Sequence, residues 1–158
     1  MTLGVLLPIL FHTVGMGSIF LPMFWPVAIC AFYLPLSYAV AIGILTPILS
    51  TLLTGMPPIS PPILYLMIFE LGFLAGITNI VYRHTRWGIF WPLLLGLFVS
   101  RSVLFLAVIP LASLLGLPPK LASIAIVAKG IPGVLIILSM IPLLVNRLKH
   151  DPVFAKRE

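Results

Sequence analysis

The sequence predicts an all-α integral membrane protein, a compact bundle of six transmembrane helices that form a single domain. Hydrophobic residues occupy 61% and charged residues only 8% of the 158 positions, whereas soluble domains are about half apolar and a quarter charged. The mean hydropathy of +1.26 agrees with this composition. Because one span needs about 20 apolar residues, the chain has room for about five or six spans and no separate soluble domain.

Breaks rich in glycine, proline or charge divide the apolar sequence into the predicted spans. The spans cover residues 2–14, 23–33, 37–53, 63–82, 88–114 and 121–145, and a cytoplasmic tail covers residues 146–158. Prolines in the break at residues 54–62 fix φ and keep the preceding residues out of the α region, which predicts a stiff loop. Residues 2–14 lack the basic stretch and cleavage motif of a signal peptide and are predicted to belong to the fold.

The distribution of basic residues predicts the orientation of the bundle. Basic side chains follow the fourth and sixth predicted spans, at Arg83, Arg86, Arg147, Lys149, Lys156 and Arg157, whereas the alternate loops carry only Lys120. By the positive-inside rule, the 83–86 turn and the C-terminus are cytoplasmic, and six spans then place the N-terminus inside as well. The net charge of +6 is therefore a topology signal. Nucleic-acid binding is not expected, because it needs a basic soluble face.

Glu70, Arg101 and Lys129 are single charges within apolar stretches. A charge in hydrocarbon costs about 2.5–3.5 kcal/mol, so each is expected to face a partner, a cavity or a ligand. Under the predicted topology all three lie roughly 10–20 Å below the outer surface, at about 1.5 Å per helical residue. Two cations against one carboxylate leave a surplus positive charge, which predicts an anionic ligand. His12, near the outer end of the first span, and Ser102 are further candidates for this binding site.

A structural interpretation of the same charges is also open. Glu70 would then pair with Arg101 or Lys129 only to neutralise buried charge and to fix helix register. A buried lysine can also be neutral, in which case no surplus charge exists. One His, one Cys and one Glu on separate segments show no metal-ligand spacing, so neither a metal nor another cofactor is predicted.

Aromatic and sulfur-containing side chains lie in the two predicted outer connections. Phe24 and Trp25 belong to the first connection and Met56 to the second, and all three are predicted to close over the apolar parts of a ligand. The alternative for Phe24 and Trp25 is a place in the aromatic belt at the membrane interface. Small residues four positions apart, at 37/41, 39/43 and 72/76, predict close helix contacts within the bundle or with another membrane protein.

Five short motifs occur in an order that resembles a known family. They are FLPMFWPV at residues 20–27, GILTPILS at 43–50, LTGMPP at 53–58, MIFEL at 67–71 and GIPG at 130–133. Together they resemble the substrate-specific S component of energy-coupling factor (ECF) transporters. The resemblance implies uptake of a vitamin or micronutrient across a prokaryotic plasma membrane, through a pocket near the outer face. It also implies a membrane T component and two cytoplasmic ATPases as partners.

The chain departs from the family pattern in two places. Residues 2–14 contain no Ala-x-x-x-Ala pair, the element with which S components contact the T component, so the small-residue pairs of residues 37–53 are the alternative contact. Phe24 stands where similar members tend to have His after Met, which implies a ligand that is less polar at that end.

Taken together, the sequence predicts the substrate-binding subunit of an ECF-type importer for a small anionic or zwitterionic nutrient. Arg101 and Lys129 would hold the negative group, and Glu70 would orient one of them or accept hydrogen bonds from the ligand. The chain has no phosphate-binding loop, so ATP hydrolysis is expected on partner ATPases and no enzymatic activity on this chain. The alternatives are a solitary transporter or channel, a structural membrane subunit, and an intramembrane enzyme that uses Glu70 with His12.

Overall fold

A computed structural model of the protein describes residues 4, 6–8, 10, 20–59, 63–111 and 130–149, with side chains as far as residue 106 in the fourth helix and 148 in the last. All regular secondary structure in these ranges is α-helical, which confirms the predicted all-α class for them. The helices are α1 (Phe24–Tyr33), α2 (Leu36–Thr54), α3 (Ile63–His84), α4 (Phe90–Leu111) and α5 (Ile131–Lys149). The described residues between 4 and 10 are helical as well.

Three of these helices are long and apolar enough to cross a membrane. They are Leu36–Thr54, Ile63–His84 and Ile131–Leu148, with mean hydropathies of 1.9, 1.8 and 1.9, and two shorter apolar stretches, Phe24–Tyr33 and Phe90–Leu106, accompany them. Large apolar side chains also point outward, among them Leu52 at 76% exposure and Phe98 at 68%. Such a surface is stable in lipid and unfavourable in water. The chain is therefore a membrane protein.

The observed helix ends lie within a few residues of the predicted ones, and three of them differ. Helix α4 starts at Phe90 because Gly88 adopts a φ of 71° in the turn before it. Helix α3 runs to His84, two residues beyond the predicted span. Helix α5 continues to Lys149, so residues 146–149 of the predicted tail are helical. Some predicted residues lie outside the described part of the chain. They are the other residues of the first predicted span, residues 112–114 of the fifth span, residues 121–129 of the sixth span, and residues 150–158 of the tail.

The ends of α1 and α2 follow from backbone chemistry. Helix α2 stops at Gly55, which has a φ of 73° and donates its N–H to Thr51 O at 2.8 Å. Glycine is the residue that adopts this left-handed cap without steric cost. Leu34 takes an extended conformation before Pro35, where proline disfavours the α region. The chain therefore reverses tightly between α1 and α2.

Helix α3 is the centre of the described fold, because it packs against α1, α2 and α4. Glycines allow the close approach on two sides. A Cβ atom on Gly43 of α2 would lie 2.6 Å from Leu71 O, and a Cβ on Gly96 of α4 would overlap Thr78 Oγ1. A Cβ on Gly72 of α3, by contrast, would lie at an ordinary contact distance of 3.5 Å from Ile44 Cγ1. Helix α3 is thus held between two neighbours, and the side chains on its inner faces are buried.

The core of the described bundle is mostly aliphatic and also contains the rings of Phe24 and Phe32. Its fully buried large side chains are Phe24, Val27, Leu71, Leu74, Leu93, Leu97, Ile137, Ile141 and Val145. The short helix α1 supplies two of these and contacts α2, α3 and α5. Phe24, the first residue of α1, lies next to Arg101 of α4.

Candidate functional site

The structure brings two of the three predicted charges into contact. Glu70 on α3 and Arg101 on α4 form an ion pair, with 3.0 Å between Glu70 Oε1 and Arg101 Nη1. Their side chains are 5% and 15% exposed, respectively. The close packing of α3 with α4 places both inside the bundle, where a charged group needs a partner.

The ion pair does not complete the hydrogen bonding of either side chain. Glu70 Oε1 and Arg101 Nη1 are close, but Oε1 has no hydrogen bond of acceptable geometry, so the contact is a charge pair with poor alignment. The Nε and Nη2 atoms of Arg101 are also buried and have no hydrogen-bond partner within the described residues. A buried donor without an acceptor costs about 1–3 kcal/mol. The guanidinium therefore has two strong donors available for an acceptor that the described chain does not provide.

Phe24 covers one face of the guanidinium. The centroid of its ring lies 4.7 Å from Arg101 Cζ, which is within the range of a cation–π contact. A tight turn before α1 positions the ring: Leu21 has a φ of 50°, and Phe24 N donates to Leu21 O at 2.9 Å. Phe24 was predicted to close over a ligand, and in the structure it packs on the arginine that was predicted to bind that ligand.

Gly130 lies beside the guanidinium at the start of α5. A Cβ atom on Gly130 would lie 3.3 Å from Arg101 Nη1, which is tighter than most real contacts of a Cβ. The Gly130 carbonyl accepts the N–H of Val134 at 3.0 Å, so Gly130 is at the first turn of the helix. The amino end of a helix carries about +0.5 of a charge. Gly130 belongs to the GIPG motif, but its contact with Arg101 was not predicted.

The other predicted site residues have different surroundings. Trp25 is partly buried and donates from Nε1 to Phe20 O at 3.2 Å. Met56 is 48% exposed, in the loop after α2. Ser102 donates its hydroxyl to Phe98 O at 2.9 Å, within its own helix. His12 and Lys129 lie outside the described residues.

A second buried polar cluster lies farther along α3 and had no predicted role. Asn79 is completely buried and donates from Nδ2 to Ala31 O at 2.7 Å and to Leu34 O at 2.8 Å. Arg83 Nη2 also donates to Leu34 O, at 3.0 Å. These carbonyls belong to the last turn of α1 and the residue after it, which lack partners within the helix. The signal in the sequence was an amide and an arginine four positions apart on one face of an apolar helix.

Metal binding finds no support in the described residues, since no three His, Cys, Asp or Glu side chains within them are arranged to hold an ion. The polar groups that the structure does bring together are a carboxylate, a guanidinium and a helix amino end. Their chemistry suits an anion with hydrogen-bond acceptors.

Comparisons with models of protein families, with characterised proteins and with solved structures find no match for this chain.

Proposed function

We propose that the protein is the substrate-binding membrane subunit of an ECF-type importer for a small vitamin or related micronutrient. In this proposal it has six membrane spans with both termini in the cytoplasm of a prokaryote, and it works with a T component and two ATPases. The observation that supports binding most directly is the buried Arg101 guanidinium, two of whose donor atoms have no hydrogen-bond partner among the described residues. Intramembrane charges of this kind mark ligand or ion sites in membrane proteins.

The surroundings of Arg101 favour a ligand of mixed character. Phe24 supplies an apolar wall on the face of the guanidinium, and Glu70 supplies a hydrogen-bond acceptor beside it. Small-molecule sites combine such apolar walls with a few placed polar groups. An anionic or zwitterionic nutrient with an apolar body has both properties.

Docking to a T component is assigned in this proposal to the exposed face of α2. Ser37 and Ala41 are both exposed and lie one turn apart, whereas Ala39 and Gly43 are buried in the bundle. Small residues at a four-residue spacing let another membrane helix approach closely. Ser37 and Ala41 would thus take the place of the Ala-x-x-x-Ala pair that residues 2–14 lack.

The test is purification of the chain from cells that also express an ECF T component and its ATPases. Co-purification of the ATPases and ATP-dependent uptake of a small molecule retained by the chain, identified by mass spectrometry, are the expected results. Arg101→Ala should lower affinity for that molecule about 100-fold, as expected for loss of charge-assisted hydrogen bonds, while Arg86→Ala, at an exposed turn, should not. Uptake without any ATPase would instead indicate a solitary transporter. Unchanged affinity in Arg101→Ala would refute the role of this arginine.

A structural membrane subunit is the second candidate, because the Glu70–Arg101 ion pair neutralises itself without a ligand. A buried ion pair can often be replaced by apolar side chains at little cost in stability. If Glu70→Leu/Arg101→Leu retains partner assembly and every cellular activity of the wild-type protein, the structural role is correct. Loss of uptake in a stably folded double variant supports the binding subunit.

A further inference from the structure

We infer that the ligand of this site carries a single carboxylate, which binds in bidentate fashion to the Nε and Nη2 atoms of Arg101. The inference rests on the proposed function, because it names the chemical class of the molecule that the subunit binds. Three observations support it: the positions of the Arg101 donors that lack a partner among the described residues, the Phe24 ring over the guanidinium, and the charges near the guanidinium.

The two unused donors lie on the same edge of the guanidinium. Glu70 approaches Nη1, and Nε and Nη2 are the atoms with no hydrogen bond to the part of the chain that the structure describes. In an arginine, one N–H of Nη2 points in the same direction as the N–H of Nε, so the two form a planar pair. The two oxygens of a carboxylate match this pair and accept both hydrogen bonds at once. A single oxygen, such as that of a hydroxyl or a carboxamide, could accept from both donors only through bent and therefore weaker hydrogen bonds.

The ring of Phe24 restricts the direction from which an acceptor arrives. Because the ring lies over the guanidinium, 4.7 Å from Cζ, that face is closed to a ligand. The remaining donors lie in the plane of the guanidinium, and a flat group fits that direction. Both nitrogens are closed to solvent, so the ligand replaces protein atoms that cover them and forms its hydrogen bonds away from competing water.

The charge around the site favours one negative charge on the ligand. Glu70 already balances Arg101, and a second anion needs another source of positive charge. The amino end of α5 at Gly130 provides about +0.5 of a charge near Nη1 and Nη2. The single charge of a monocarboxylate is closer to this partial charge than the double charge of a phosphate.

Matched pairs of acid and amide test the inference on the intact, detergent-purified chain. The probes are nicotinate and nicotinamide, biotin and biotinamide, and lipoate and lipoamide, because each pair differs only at the carboxylate. We expect one acid to raise the melting temperature, and its amide to bind about 100-fold more weakly because its single oxygen accepts from both donors of Arg101 only through bent and weaker hydrogen bonds. Native mass spectrometry of molecules retained through purification should identify a monocarboxylic acid.

Arg101→Lys separates a bidentate site from a simple positive charge. Lysine keeps the charge but lacks the planar pair of donors. We expect Arg101→Lys to lose the preference for acid over amide and to bind the acid about 100-fold more weakly, whereas Arg86→Lys, a matched substitution at an exposed turn, keeps both. If Arg101→Lys does not fold, the wild-type comparison of acid with amide decides alone.

The outcomes distinguish this inference from the proposed function. If an acid and its amide bind equally, or if the retained molecule is neutral or carries only a phosphate, the carboxylate inference is wrong while the binding function stands. If none of the acids binds and no small molecule is retained, both are wrong. A strong preference for acid over amide that depends on Arg101 supports the inference.

Discussion

Helix α3 contributes Glu70 and Asn79 to two polar clusters, and the donors in these clusters have opposite hydrogen-bonding states. The amide nitrogen of Asn79 uses both of its hydrogens, at 2.7 and 2.8 Å, to bond carbonyls at the end of α1. Arg101, paired with Glu70 at the other cluster, has two buried nitrogens without a bond to any described residue. The clusters are nine residues apart on α3, about 13 Å at the helical rise. The amide donors of Asn79 are thus bonded, whereas two donor atoms of Arg101 have no partner among the described residues.

The difference indicates different roles for the two clusters. Buried donors in native proteins are nearly always bonded, so donors left over require an explanation. The Asn79 donors have one, since they complete the open carbonyls of α1 and join α1 to α3. Asn79 Oδ1 has no hydrogen bond within the described residues. It is a neutral acceptor, and burying a neutral group without a partner costs less free energy than burying a charged one. For the guanidinium donors of Arg101, our proposal is a bound ligand.

The largest expected change in stability comes from breaking the Glu70–Arg101 ion pair. Arg101→Leu should lower the free energy of unfolding by about 3–5 kcal/mol, because it leaves Glu70 as an unpaired buried charge. Glu70→Leu/Arg101→Leu should be markedly more stable than this single variant and should lose ligand binding. Unfolding in detergent, followed by circular dichroism, measures both. A single variant as stable as the double variant would contradict the proposed coupling between the two side chains.

The Asn79 cluster should affect stability and not binding. Asn79→Leu removes two buried hydrogen bonds and should lower the free energy of unfolding by about 2–3 kcal/mol, with ligand affinity unchanged in the folded fraction. Asn146→Leu is the matched control, because Asn146 is exposed on α5, and it should leave stability nearly unchanged. A loss of affinity in Asn79→Leu as large as in Arg101→Ala would erase the distinction between the clusters.

The close packing of α2 against α3 near Glu70 should contribute to both stability and ligand binding. Gly43→Ala places a Cβ 2.6 Å from the backbone oxygen of Leu71, the residue after Glu70. We expect a loss of about 1–3 kcal/mol from overpacking, together with weaker ligand binding. Gly72→Ala meets Ile44 at 3.5 Å, and its higher helix propensity should make it neutral or up to about 1 kcal/mol more stable. Equal melting temperatures for the two variants would contradict the close approach at Gly43.

The smallest effect concerns the link between α1 and α5. Tyr33 donates its hydroxyl to Val145 O at 3.0 Å, and Tyr33→Phe should cost about 0.5–1.5 kcal/mol through loss of that bond. Tyr38→Phe is the control, since Tyr38 is 65% exposed on α2. Thermal unfolding of the two variants in the same detergent makes the comparison. A loss for Tyr33→Phe no greater than that for Tyr38→Phe would contradict a contribution from the Tyr33 bond.

Composition and local chemistry were sufficient for the class and for most helix positions. The low charge content indicated a membrane protein, and breaks at Pro35, at Gly55 and at residues 83–86 separated α1 to α4 to within about two residues, the usual uncertainty of a helix end. These features depend on interactions within one turn or one segment. Helix α5 ran past its predicted end because no proline or glycine follows Val145 before Lys149, and polar residues there remain compatible with a helix.

Sequence alone also determined which buried residues required an explanation, since a charge such as Glu70 or Arg101 in an apolar helix is costly wherever it lies. It did not determine their partners. Only the tertiary structure placed Glu70 against Nη1 of Arg101, Phe24 over its face and Gly130 beside it, and only it showed that Nε and Nη2 lack a bond to the described residues. The physical reason is that the hydrophobicity of each residue can be read from its own side chain. A hydrogen bond between helices depends instead on the distance and angle between donor and acceptor atoms that are far apart in the chain.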